Sequence, residues 1–153
     1  MILPQRAMQA EDKELRRNTI LDAAESLILE RPDRLPSVDE VAAQAGLSKG
    51  TVYLYFAAKE DVLLAIHERH KDDFFRALIE RTEQPEPMTL DTMVDLTHRY
   101  ITGVRGFLPI ASLSFGFMEK GVTEGAARAF MVKMGEQIAR AGAGIERHFH
   151  LPP

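Results

Sequence analysis

The sequence predicts an all-α protein. Three observations carry that prediction. Apolar residues recur at intervals of three and four along most of the chain, no useful length alternates with period two, and capping or breaking residues fall between the periodic stretches. The chain of 153 residues suits one domain of ordinary size or two small ones sharing a core. Its 45% hydrophobic and 27% charged content is that of a globular protein. No uncharged apolar run is long enough to span a membrane, and Met1 to Ala10 lacks the continuous apolar stretch of a signal peptide. Cysteine is absent, which removes disulfides and thiolate chemistry together and makes a cytoplasmic location the simplest reading.

The first helix is expected over Glu11–Arg31, with Leu15, Ile20, Ala23, Ala24, Leu27 and Ile28 on one side. Pro32 stops it, and Asp33 to Pro36 forms a turn. Ser37 has the character of an N-cap, and Glu40, three residues on, completes a capping box for a short helix that buries Val38, Val41, Ala42 and Ala45. Gly46 sits where the chain must turn sharply. Leu47 anchors that turn, and Ser48 caps a third helix running to Tyr55, with Val52 inward and Phe56 at its exit. A long fourth helix starts near Lys59 and runs to about Arg81, burying Val62, Leu63, Ile66, Phe74, Ala77 and Leu78. Pro85 and Pro87 close it, and Glu83 to Met88 reads as a linker. Beyond it, helices are expected over Thr89–Ile101 and Leu108–Met118. The last follows Thr123, with Phe130, Met131, Met134, Ile138 and Ile145 on its apolar side.

Two short helices joined at a glycine form a helix-turn-helix pattern from Ser37 to Phe56. The second is short enough to lie in a major groove with its N-terminal residues nearest the base edges. Its exposed side holds Ser48, Lys49, Gly50, Thr51, Tyr53 and Tyr55. A lysine donates to guanine O6 and N7, and a threonine offers a hydroxyl or a methyl. Gly50 lets the backbone approach a base or sugar closely, and the tyrosines suit phosphates or thymine methyls. Lys59 stands at a helix start, where free N–H groups favour a phosphate. Bulk charge points the other way: residues 1–60 carry eight Lys or Arg against ten Asp or Glu, so any DNA contact depends on where the few cations sit.

The stretch Ala42–Leu64, AAQAGLSKGTVYLYFAAKEDVLL, resembles the N-terminal DNA-binding domain of TetR-type bacterial transcriptional regulators, and the likeness extends back through Ile20–Leu27 and Ser37-Val38. It covers roughly residues 15 to 66. The resemblance implies a three-helix head at residues 11–58 and a helical ligand-binding or regulatory domain at 59–153, present only in part. It implies Lys49, Gly50, Thr51 and Tyr53 at the groove, with Ser37, Tyr55 and Lys59 on phosphates. Double-stranded operator DNA would be the partner, and a small hydrophobic effector would release a repressor. Such regulators run further into helices that pair two copies, so a homodimer is implied where those helices are present. Two features depart from the family pattern: the turn Pro32–Pro36 lacks the usual glycine, and the head carries few extra cations.

Phe74, Leu78, His98, Phe115, Met118 and Met134 are the candidate effector contacts, since Met- and Phe-rich walls between helices adapt to apolar ligands. For any one of them, simple core packing is the stronger reading. His67 with His70, and His148 with His150, lack a complete ligand set, so neither metal nor cofactor is expected. No base, orienting group and anion hole come together, which argues against an enzyme. A helical interaction module without tight operator binding is the alternative. The long fourth helix would carry an effector's push to the reading head.

Overall fold

A computed structural model describes residues 5–149, and every regular element in that span is helical. The elements are α1 (Gln5–Glu30), α2 (Val38–Ala45), α3 (Lys49–Tyr55), α4 (Lys59–Thr82), α5 (Leu90–Thr97), a π-helical turn (His98–Thr102), α6 (Phe107–Phe117) and α7 (Glu124–Phe149). Met1 to Pro4 and His150 to Pro153 lie outside the described residues.

One apolar cluster closes the N-terminal part. Ile20, Leu21, Ala24 and Ile28 of α1 meet Val38, Val41 and Ala42 of α2, Val52 of α3 and Val62, Leu63 and Ile66 of α4. Phe56 seals it at the exit of α3, and Arg17 lies over the Phe56 ring at 5.2 Å. The expected stripe on α1 therefore begins at Ile20. The helix starts six residues earlier than the periodicity placed it, and residues 9–16, Leu15 included, stand in solvent because α2 and α4 pack only on the later half. An ionic clamp reinforces the α1–α4 contact. Arg69 donates to Asp22 at 2.6 Å and to Glu25 at 2.5 Å, and His70 Nε2 meets Glu25 at 2.7 Å. Burial pushes the Glu25 carboxyl up, but the bonds from His70 and Arg69 outweigh it and hold it below its usual range.

The long α4 is the axis on which everything after it leans. α6 and α7 each pack on α4 and hardly on one another. At its C-terminal end Leu78 and Ile79 join Met88 and Ala141, with Phe74, Phe75, Met93, Leu96, Ile145 and Phe149 around them. Here α7 comes closest. A β-carbon on Gly144 would collide with Thr82, so only glycine permits this approach. The expected apolar side of α7 is met in part: Phe130 is buried, but Met131 and Ile138 stay half exposed, and the buried face runs through Ala141 and Gly144 instead. The Glu83–Met88 segment is tied down. Arg81 donates to the carbonyls of Glu86 and Pro87, and His148 accepts from the Met88 N–H at 3.2 Å while its Nε2 meets the Thr82 carbonyl at 3.0 Å. The predicted Thr89–Ile101 helix breaks at Thr97 into the π-helical turn.

Candidate nucleic-acid interface

Two capped helices hold the reading surface. Ser37 is extended and forms a full capping box with Glu40: Ser37 Oγ accepts from the Glu40 N–H at 3.2 Å, and the Ser37 N–H donates to Glu40 Oε2 at 2.9 Å. Arg34 grips the same carboxylate through both terminal nitrogens, and that bond with the Ser37 bonds holds the Glu40 carboxyl well below the usual carboxylate range. Ser37 thus spends its hydroxyl within the chain. At the other end of α2, Gly46 takes φ 67°, and its N–H reaches the Ala42 and Ala43 carbonyls. Ser48 then caps α3 by accepting from the Thr51 N–H at 3.1 Å, with the two hydroxyls 2.8 Å apart.

Among the predicted contacts, Ser48, Lys49, Gly50 and Tyr53 share the exposed side of α3, whereas Thr51 and Tyr55 are half-buried and Tyr55 packs against the head core. A β-carbon at Gly50 would meet nothing nearer than Ser48 Oγ at 4.0 Å. The fold itself does not require glycine there. Lys59 is exposed at the start of α4, whose N-cap, Ala58, offers no side-chain bond to the free N–H groups.

Sequence reasoning missed three residues. Leu54 is 82% exposed, a large apolar side chain beside Tyr53 on the outer face of α3. Asp39 holds Lys49 Nζ at 2.9 Å and raises the lysine's pKa. Asp61, buried in the first turn of α4, accepts from Thr123 through its N–H at 2.8 Å and its hydroxyl at 3.0 Å. Alternating helix faces gave a weak signal for Leu54. Nothing local signals the other two, because their partners lie 10 and 62 residues away.

The candidate effector contacts do not converge. Phe74 and Leu78 sit together in the α4–α7 cluster, while Phe115 and Met134 lie on two helices that scarcely touch. Met118 is half-buried at the end of α6, and His98 faces solvent, 3.1 Å from the Thr102 hydroxyl. A groove of about 690 Å³ runs between α4 and α7 past Asp72, Arg76, Glu80, Lys133, Glu136 and Arg140, none of which was predicted. Among the described residues no three His, Asp or Glu side chains are grouped to hold a metal ion, and no helix is long and apolar enough to cross a membrane.

Residues 20–66 match the family described as bacterial regulatory proteins, tetR family. The chain is 38% identical over 128 residues to the HTH-type transcriptional regulator EthR of Mycobacterium tuberculosis, covering 82% of this chain and 53% of that regulator. It is 40% identical over 65 residues to the fatty acid metabolism regulator protein of Bacillus subtilis, covering 42% of this chain and 31% of that protein. It is 35% identical over 71 residues to the HTH-type transcriptional repressor LfrR of Mycolicibacterium smegmatis, covering 46% of this chain and 36% of the repressor. The chain spans about half the length of EthR.

Proposed function

We propose that this chain, whose residues 20–66 match the tetR family of bacterial regulatory proteins, is a sequence-specific DNA-binding transcriptional regulator, a repressor released by a small apolar ligand. The observation that carries the reading is Gly50. It stands on the outer face of a capped α3, beside Lys49, Tyr53 and Leu54, at a position where the fold has room for a side chain and the sequence has none. A surface approached closely by a duplex backbone supplies the reason. In this reading Lys49, Thr51 and Tyr53 face the groove, Leu54 meets a thymine methyl, and Ser48, Tyr55 and Lys59 line the backbone, while Ser37, whose N–H and hydroxyl are both bonded to Glu40, acts as the cap of α2.

The division at residues 58 and 59 belongs to the same proposal, with α4 as the element shared by head and effector domain. A cytoplasmic homodimer would place two α3 helices about 34 Å apart on a palindromic site, and an effector that shifts α4 spoils that spacing. Duplexes selected from a random pool supply the operator for the test. Gly50→Ala should leave the chain at least as stable, by up to about 1 kcal/mol, because alanine favours a helix. The same change should weaken operator binding tenfold or more in a shift assay. Unchanged binding would remove the reason offered for the glycine, and the absence of any salt-dependent duplex binding by the natural chain would end the reading.

A further inference from the structure

His67 is an anomaly in the C-terminal part. It projects from α4 into a cage of Phe107 and Phe115 from α6 and Phe130 from α7, with ring centroids at 6.1, 5.3 and 5.2 Å. The side chain is 5% exposed, and its Nδ1 is buried without a hydrogen-bond partner. Such an atom costs the fold free energy, and few native ones go unpaired. A water molecule is a poor answer, because it needs two to four polar partners and three phenyl rings supply none. One wall of the cage faces solvent: Phe115, edge-on to the imidazole, is 52% exposed. Met131, the residue after Phe130, is 50% exposed on α7.

We propose that the gap between α6 and α7 in front of His67 binds an uncharged, mainly apolar small molecule with one hydrogen-bonding head, which turns Phe115 aside and bonds to His67 Nδ1. Its apolar body replaces water against the phenyl and methionine side chains. Its head satisfies His67 Nδ1, one of two ring nitrogens that the described residues leave buried and bare; the other, His70 Nδ1, belongs to a ring already bonded to Glu25 through Nε2. A charged head is excluded by the same cage. The nearest cation, Lys71, one turn further along α4, is already held by Asp72 at 3.0 Å and by Gln137, and it lies over the Phe75 and Phe130 rings. A carboxylate beside His67 would lose its water and gain no free partner. The regulatory meaning of the site rests on the reading above, but binding at His67 does not.

The test is a titration of the full chain with 4-butylphenol, butylbenzene and 4-butylbenzoate, following the His67 ring nitrogens by long-range proton–nitrogen NMR. The phenol should bind about tenfold or more tightly than either control and should move the Nδ1 resonance. In His67→Leu its advantage over butylbenzene should vanish while butylbenzene keeps its affinity. Phe115→Leu, a change at a half-exposed position that spares the core, should strengthen phenol binding a few-fold by lowering the lid. Equal affinities in the natural chain, binding that leaves His67 unmoved, or no saturable binding would each overturn the site. Phenol binding by a chain that binds no duplex would keep the site and retire the regulator reading; duplex binding without phenol binding would do the reverse.

Discussion

The head and the C-terminal part treat their apolar residues differently. In the head, α1, α2, α3 and the first turns of α4 close around one cluster, to which α6 adds Ile110, and its members are buried. After α4, apolar residues outnumber the places to bury them: Leu90, Val94, Leu108, Phe115, Met131, Val132 and Ile138 are all at least half exposed. Both regions have helical periodicity. The head has enough helices to enclose a core, whereas α5, α6 and α7 lean singly on one axis. A finished core holds a reading surface in fixed geometry. An open one leaves room for a ligand or a partner.

Paired truncations should make that contrast measurable. Leu63→Ala, in the head at a fully buried site, should cost about 2–5 kcal/mol in urea unfolding. Ile138→Ala, at a 53% exposed site on α7, should change stability by no more than about 0.5 kcal/mol. A loss well above that at Ile138 would mean that the outer side of α7 is covered in solution, and the contrast would fail.

The two regions are also joined by a specific bond. Asp61 takes both donors of Thr123, so the first turn of α4 and the start of α7 share one carboxylate; Thr123 Oγ1 in turn accepts from the Ala126 N–H at 3.4 Å. Asp61→Ala should cost about 1–3 kcal/mol, because it strands two half-buried donors and empties a buried site. Thr123→Val added to it should cost less than the sum of the two single changes, as a double-mutant cycle by urea unfolding would show. Strict additivity would leave the regions joined by apolar packing alone.

The head was largely legible in the sequence because its devices are local. Ser37 with Glu40, Gly46, and Ser48 with Thr51 each act within one helical turn, and short-range rules identify them. What escaped is made by helices crossing. Asp39 reaches Lys49 only because α2 and α3 fold across one another, and Asp61 reaches Thr123 only because α7 returns to α4. The apolar side of α7 was misjudged for the same reason. Periodicity favours the Met131–Ile138 side, but Gly144 fits against Thr82, and Gln137 and Lys133 bond to Asp72, which turns the helix.

Acidification should separate the regions next. Burial, with Lys71 and His70 nearby, lowers the His67 pKa from 6.5 to about 4. The unfolded chain therefore binds a proton there between these values while the folded chain does not. Stability should be full well above pH 6.5 and fall as pH drops towards 4, by roughly 2 kcal/mol between pH 7 and pH 5. His67→Leu should flatten that slope in urea titrations at the two pH values. An unchanged slope would place its origin elsewhere.

The smallest effect concerns the reading surface itself. In the free chain Lys49 is not available as a bare cation, because Asp39 holds its ammonium in an exposed pair. To reach a base, Lys49 must leave Asp39, and Asp39 then faces the phosphates as an uncompensated negative charge. Exposed pairs of this kind contribute about 0–1 kcal/mol, so Asp39→Asn should leave unfolding unchanged within about 0.5 kcal/mol. Operator affinity should rise, by up to roughly fivefold at low salt and less at high salt, since the repulsion is screened. Lys49→Ala in the same background separates two mechanisms. If the gain comes from freeing Lys49, removing the lysine abolishes it and lowers discrimination at one base position by about 1–3 kcal/mol. If it comes from removing a negative charge near the backbone, the gain survives and every sequence benefits alike. Base-by-base competition with altered operators reads the difference, and a loss of affinity in Asp39→Asn would show that the pair instead orients Lys49 for its contact.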